Sequence, residues 1–165
     1  MRDSLVEDQD LWPLLVELLN NLHTELGRTG ADTVNTCILA PGQQVPWDET
    51  CGMGWVRLVS AFPSTVFPSA EGSYRASCVA TLVANVEVGV LRCAPNPEQL
   101  PGGELIMPST AEQYAATRLQ LSDMAAVRRA IQNARIDLKL LGAYSPVGPQ
   151  GGYVGGSWAV SVGRE

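Results

Sequence analysis

The sequence lacks features that mark several common classes of protein. No apolar run reaches the roughly 18 residues that a membrane-spanning helix needs, and the first ten residues, MRDSLVEDQD, are too polar and acidic for a secretory signal peptide. Aromatic residues make up only 6% of the 165 residues, and histidine occurs once, at His23. We therefore expect a globular chain that is made in the cytosol and has no membrane segment.

Paired cysteine motifs are also missing. No two of the four cysteines are close enough in sequence to form the CxxC pattern of zinc sites and thiol oxidoreductases; they are Cys37, Cys51, Cys78 and Cys93. In a reducing cytosol, free structural thiols are the expected state. A disulfide formed outside the cell and an unusual metal site are the alternatives, so the redox and metal state of the cysteines stays open.

Positive charge is scarce and unevenly placed. The formal net charge is −6, and residues 1–82 carry four basic and ten acidic side chains, whereas residues 83–165 carry seven of each. Tight binding to nucleic acid needs a basic face that neutralises phosphates. The composition therefore argues against specific nucleic-acid binding, and it also fits the ordinary use of negative charge for solubility.

No motif for catalysis or for a cofactor is present. A nucleophile elbow would need GxSxG, and Ser157 in GGSWA lacks the second glycine. The glycine-rich stretch GPQGGYVGGS is followed neither by GK[ST] nor by a helix that could bind phosphates. Asp48 and Glu49 have no matching metal ligands nearby in sequence, and His23 is expected to be an ordinary residue at the edge of a helix. We assign no catalytic, cofactor-binding or metal-binding residue and expect that the chain is not an enzyme.

Two stretches predict helices. The first has leucines at spacings of three and four from Leu11 to Leu26, with Asp10 as N-cap and Gly27 as the residue that ends the helix. The second begins at a capping box, Ser109-Thr-Ala-Glu112, and its apolar spacing continues to Leu141, with Gly142 closing it and a break near residues 122–123.

Strands are predicted over residues 33–42, 55–61, 77–93 and 157–162. The strongest pattern is the alternation in 77–93, which indicates a long, half-buried antiparallel strand that either bends near Gly89 or projects beyond the domain. If that strand is continuous, Cys78 and Cys93 are too far apart for a disulfide. Proline and glycine predict loops at 62–75 and 146–156. The second is expected to be a mobile loop before the last strand; alternatively, it is a flexible segment that orders when a neighbouring subunit packs on it.

The order of elements is therefore α-β-β-β-α-β within one domain, residues 1–165. This order predicts an α+β fold, a mostly antiparallel sheet with two helices on one face. The other face of the sheet and its edges would remain available to partners.

The second helix carries the main basic cluster, formed by Arg128, Arg129, Arg135 and Lys139. A solvated helix face is the simpler interpretation. Alternatively, Arg128 and Arg135 meet an acidic partner, for which the start of the chain is the candidate, on this subunit or the next; its acidic residues are Asp3, Glu7, Asp8 and Asp10.

Three stretches and one helix resemble a known family. The stretches are CILAPGQQVPWDETCGMGWVRLVSAFPSTVFP (37–68), VEVGVLRCAPNP (86–97) and PVGPQGGYVGGSWAVSVGRE (146–165), and the helix contains DMAAVRRAI. Together they resemble head-to-tail connector (neck) proteins of long-tailed actinobacteriophages. The order of elements is most similar to a tail terminator.

The resemblance implies a structural virion protein. Six copies would form a ring that stops tail-tube growth and joins tail to head, with the genome DNA passing through the lumen. The implied partners are other copies of the chain, the major tail-tube protein and a head-side connector or stopper protein, and no cofactor is implied. Two alternatives remain: a head-to-tail stopper or other head-completion protein, and, in a different class, a small cytosolic ligand-binding α+β domain.

Overall fold

The computed structural model describes residues 8–30, 34, 36–42, 51–70 and 80–164. The two helices are α1 (Leu11–Gly27) and α2 (Thr110–Asn133), and the strands are β1 (Thr36–Ala40), β2 (Met53–Ser64), β3 (Thr81–Cys93), β4 (Glu98–Gln99), β5 (Leu105–Ile106), β6 (Leu138–Gln150) and β7 (Tyr153–Gly163). The α+β class is confirmed. The structure also contains three strands that the predicted order lacks, namely the short pair β4 and β5 and the long strand β6.

Five strands form one sheet in the order β1-β2-β3-β7-β6. All neighbours are antiparallel except β1 and β2, which are parallel. Strand β3 lies in the centre and pairs with β2 from Thr81 to Leu91 and with β7 from Val83 to Cys93. The expectation that this long strand projects beyond the domain is therefore wrong, because its length is matched by partners on both sides. The edges of the sheet are β1 and β6.

Helix α1 buries the predicted leucine stripe, with Leu14, Leu18, Leu22 and Leu26 in the core. Asp10 occupies the N-cap position, but its side chain makes no capping hydrogen bond. The carboxylate of Asp8 instead accepts a hydrogen bond from the backbone N–H of Leu11 at 2.6 Å. The prediction that Gly27 terminates the helix from outside is wrong, since Gly27 is its last residue and Arg28 is the C-cap.

Helix α2 starts at the predicted capping box, in which Ser109 and Glu112 bond each other's backbone N–H. It runs unbroken through residues 122–123 and ends at Asn133, where Ala134 turns to an extended conformation with ψ 134°. The predicted continuation to Leu141 and closure at Gly142 are wrong. Residues from Leu138 onward form β6, whose pairing with β7 replaces helical hydrogen bonds.

Strands β6 and β7 form a hairpin where a loop at 146–156 was predicted. Its tip is the pair Gly151-Gly152, both at positive φ (60° and 83°), which a two-residue turn between antiparallel strands favours. Pro146 and Pro149 are tolerated because β6 is an edge strand. Most of the predicted loop is therefore regular sheet within the single chain.

The core lies between the two helices and one face of the sheet. Alternate residues of β3 point to this side and meet β7 residues and both helices; they include Ala84, Val86, Val88 and Val90. The prediction of two helices on one face is confirmed. The helices cover only that side of the sheet, so any face that the sheet offers to a partner is the opposite one.

A disulfide joins Cys51 and Cys93, with Cα atoms 4.8 Å apart. Cys51 precedes β2 and Cys93 ends β3, so the bond continues the pairing of these two strands. The expectation of free thiols is wrong for these two residues, because strand register brings them together despite 42 residues of separation. Cys37 is free, whereas Cys78 lies outside the described residues.

Candidate functional site

The uncovered face of the sheet forms a shallow trough of about 590 Å³. Its floor consists of small residues that face away from the helices on β6 and β7, namely Gly142, Ser145, Ser157, Ala159 and Ser161. Its walls are larger and apolar: Val59 at a bulge in β2, Leu140 and Val147. Val59 is 58% exposed and Leu140 is 50% exposed, so these apolar walls face solvent.

The polar groups along the trough satisfy one another. The guanidinium of Arg57 donates to the carboxylate of Glu87 on the neighbouring strand, with Nε to Oε2 at 2.7 Å. Beside this pair, Asn85 donates to the hydroxyl of Ser60 at 3.1 Å and accepts from that of Ser161 at 2.9 Å. These charged and amide side chains are therefore paired with one another across three strands. Among the described residues of the trough, none of them is left unpaired to bind an ion.

Trp55 closes the sheet face next to the trough. Its ring lies over Gly89 on β3, where a Cβ atom would come within 2.3 Å of the indole carbon Cζ2. The indole is 2% exposed and packs with Ala40 and Leu91. Within the described part of the chain, its N–H has no hydrogen-bond partner.

A second apolar surface lies on the connection between β3 and α2. We call residues 98–107 the arm: they comprise β4, a turn, β5 and Met107, and all ten are exposed. The exposed fractions of its large apolar side chains are 39% for Leu100, 60% for Leu105, 48% for Ile106 and 66% for Met107. A two-stranded hairpin of this size is only marginally stable alone in water.

The base of the arm borders a groove of about 490 Å³ between α2 and the β6–β7 tip. The residues that line it are apolar or carry neutral amides and hydroxyls, among them Asn96, Gln113 and Gln120. Gln120 holds the hairpin in place by donating to the carbonyl oxygens of Val147, at 3.4 Å, and Gly155. Among the residues that the structure describes, no titratable side chain lines this groove.

A buried ion pair anchors α2 to the end of β3 beside this groove. Arg92 donates to both carboxylate oxygens of Asp123, at 2.6 and 2.9 Å, and both residues are buried. Nearby, burial raises the pKa of Tyr144, and the charge of Asp123 adds to the effect. Breaking one member of such a pair would leave an uncompensated buried charge, so the pair fixes the position of α2.

His23 and Cys37 line the same shallow cleft, of about 370 Å³. Burial raises the pKa of the Cys37 thiol to about 11, so the thiol is protonated near neutral pH. The thiolate is the nucleophilic form. The arrangement therefore lacks the activated cysteine that a cysteine–histidine catalyst needs.

Two members of the basic cluster bind groups of the same chain through their side chains. Arg129 donates to the buried carboxylate of Glu25 on α1 at 3.0 Å, and the ammonium of Lys139 caps carbonyl oxygens at the end of α2 at 2.6 Å. The backbone N–H of Arg135, rather than its side chain, donates to Glu17 at 3.0 Å. Arg128 is exposed. Within the described residues, α1 is therefore an acidic partner for Arg129 and for the backbone of Arg135; the predicted contact of Arg128 and Arg135 with the start of the chain stays a prediction.

The other sequence candidates form no reactive cluster in the described ranges. Ser157 lies on the trough floor, and among residues 8–30, 34, 36–42, 51–70 and 80–164 no three potential metal-ligating side chains come together. Asp48 and Glu49 fall outside those residues, as do Asp3 and Glu7.

Sequence reasoning missed the trough and the arm. The trough floor depends on β6, of which the sequence had assigned residues 138–141 to a helix and residues from 146 onward to a loop. A signal was present in GGSWAVS, where small residues alternate with larger ones as on a strand with one crowded and one open face. The arm carried no periodic signal, since its strands contain only two residues each.

No protein-family model matches this chain, and no curated protein matches it in sequence. Among the described residues, neither helix combines the length and the apolar character that crossing a membrane requires.

Proposed function

We propose that the chain is a structural subunit of a phage neck, most similar to a tail terminator. Six copies form a ring at the top of the tail, in the virion, after assembly in the host cytoplasm. The ring ends tail-tube growth and joins the tail to the head. In this proposal the chain acts by packing against other subunits and performs no catalysis.

The observation that carries the proposal is the open trough on the face of the sheet opposite the helices. The two helices cover one face, as the resemblance to tail terminators leads us to expect, and leave apolar Val59 and Leu140 facing solvent on the other. Exposed apolar patches of this kind mark sites of protein–protein contact. The exposed arm provides a second such surface, and a subunit of a ring needs two.

The electrostatics suit a channel through which DNA slides. With a net charge of −6, the chain adds no excess of cations to hold phosphates. The proposed partners are further copies of the chain, the major tail-tube protein on one side and a head-side connector or stopper on the other. The genome DNA passes through the lumen of the ring and is not bound specifically.

Imaging and mass measurement of the purified chain test the proposal. We expect hollow rings in electron micrographs and a native mass of six subunits. Incubation with tail tubes assembled from the tail-tube protein of the same phage should place a ring at tube ends and stop further elongation.

Other results would redirect the assignment. Rings that do not bind the ends of tail tubes but do bind the head-side connector would favour the stopper. A chain that stays monomeric at all concentrations, and binds a small molecule in one of its grooves, would favour the ligand-binding alternative and contradict the neck role.

A further inference from the structure

We propose that the arm of one copy seats its apolar side chains in the trough of the next copy, and that this contact builds the ring. The inference deepens the proposed function by naming the two surfaces that meet, and it rests on the ring proposed there.

The arm has the character of an inserting element. Leu105, Ile106 and Met107 stand exposed in succession on its second strand and the residue after it, just before α2. Only two residue pairs join β4 to β5, supported by a turn in which Gly103 donates to the carbonyl of Leu100 at 2.9 Å. Three large apolar side chains on so small a hairpin gain stability when another surface covers them.

The trough has the matching character of a receptor. Its floor of glycine, alanine and serine leaves room above the sheet, and its walls, Val59, Leu140 and Val147, are apolar. The volume of about 590 Å³ lies in the range of roughly 300–1,000 Å³ that is typical of ligand-binding pockets. Because Arg57 and Glu87 neutralise each other, the trough suits an apolar occupant better than an ion.

The occupant must come from another molecule. The arm leaves the end of β3 and leads directly into α2, which packs on the face of the sheet opposite the trough. None of the arm residues, all of which the structure describes, lines the trough of its own chain, whereas Met107 lines the groove between α2 and the β6–β7 tip. A second copy is the partner because each chain carries both the large side chains and the space for them.

The symmetry of this contact follows from the two surfaces being different. An interface between unlike surfaces is heterologous, and it closes into a ring or continues as a filament according to the rotation between subunits. Each copy would use its arm toward one neighbour and its trough toward the other. A ring of identical copies then needs no second kind of subunit contact.

Two variants test the contact from its two sides. Ile106→Asp places a charge on the arm and leaves the trough intact, whereas Ala159→Trp fills the trough floor and leaves the arm intact. We expect each variant alone to be monomeric, with assembly weakened at least tenfold in sedimentation velocity. An equimolar mixture should form dimers and no rings, because only one arm–trough contact remains possible per pair.

Matched substitutions on the outer face of α2 serve as controls. Leu121→Asp introduces the same charge at a leucine that is 54% exposed, and Gln132→Trp places the same indole side chain at an exposed position. Both should assemble as the wild type does. Met107→Asp is a second arm variant, at the more exposed of the two positions, and circular dichroism verifies that every chain is folded.

The outcomes separate this inference from the ring itself. Wild-type rings that persist in Ile106→Asp, Met107→Asp and Ala159→Trp would overturn the arm–trough contact and leave the ring proposal standing. The same holds if arm variants form normal rings but no longer bind tail-tube ends, since the arm would then contact the tube. Folded single variants that never dimerise on mixing would also overturn the contact. A monomeric wild type would overturn both proposals.

Discussion

At the scale of single residues, Gly89 is a position in the sheet that has no room for a side chain. The six-membered ring of Trp55 occupies the space above it, with Cε2 and Cη2 each 2.7 Å from where a Cβ would stand. A glycine in the middle of a central strand weakens the strand unless another group packs closely on it. Here the group is the largest side chain in the core, so Gly89 and Trp55 act as one unit.

Substituting Gly89→Ala should therefore destabilise the protein. The added methyl group forces the indole out of its position, and overpacking of this kind costs about 1–3 kcal/mol in free energy of unfolding. Urea denaturation followed by tryptophan fluorescence measures the change. The control is Gly102→Ala, where an added Cβ meets nothing within 4 Å.

The two residues should also couple. Trp55→Phe removes the ring atoms that the new methyl group meets, so the double variant should lose less stability than the two single losses added together. Strict additivity would show that Gly89 is limited by something other than the indole.

The alternation in strand 77–93 predicted that Gly89 lies on the face opposite Val88 and Val90. It could not predict the partner, because Trp55 is 34 positions away and the register that aligns them is set by the whole β2–β3 pair. The disulfide was missed for the same reason. Sequence spacing cannot show which cysteines a strand register brings together, and the expected redox compartment favoured free thiols.

At the scale of elements, local signals placed the starts of the helices better than their ends. The capping box at Ser109 and Glu112 is a local pattern, and the structure confirms it. The end of α2 depends on tertiary pairing: Leu138 and Leu141 continue a helical spacing, yet β7 offers them a strand partner. Tertiary context outweighed a weak local preference there. Because β6 was not predicted, the trough that it helps to form was not predicted either.

The contact between α1 and α2 gives a prediction about pH. Glu25 is 4% exposed and accepts hydrogen bonds from Arg28 at 2.7 Å, Arg129 at 3.0 Å and Asn133 at 3.3 Å. The bond from Arg129 holds the pKa of Glu25 below its ordinary value of 4.5, although burial opposes the shift. A lowered pKa in the folded state means that the charged carboxylate stabilises the fold above pH 4.5, and that this stability is lost as the pH falls through the folded-state pKa.

Glu25→Gln should accordingly lower the free energy of unfolding at pH 7 by about 1 kcal/mol, a modest value because Arg28 and Arg129 are largely solvated. The difference from wild type should shrink as the pH falls below 4.5. Denaturation curves between pH 7 and pH 3 provide the measurement, with Glu104→Gln on the exposed arm as the charge-matched control. Parallel pH profiles for wild type and Glu25→Gln would rule out this role for the carboxylate.

At the scale of the whole molecule, the Cys51–Cys93 disulfide joins the start of β2 to the end of β3, two strands that contribute residues to the trough. It closes a sequence separation of 42 residues that includes β2 and nearly all of β3, and Cys93 immediately precedes the connection to the arm. A crosslink stabilises a fold chiefly by restricting the unfolded chain, and the restriction grows with the length of the closed loop.

For this loop, the chain-entropy relation gives a loss of about 4 kcal/mol in free energy of unfolding when the bond is reduced. Guanidinium unfolding with and without dithiothreitol measures the loss, and the double variant Cys51→Ser, Cys93→Ser should match the reduced wild type and be insensitive to dithiothreitol. Cys37→Ser, which leaves the bond intact, should keep the full response to the reductant. If reduction left the midpoint unchanged, the bond would not restrict the unfolded chain as the loop length predicts, and this account of its contribution would be wrong.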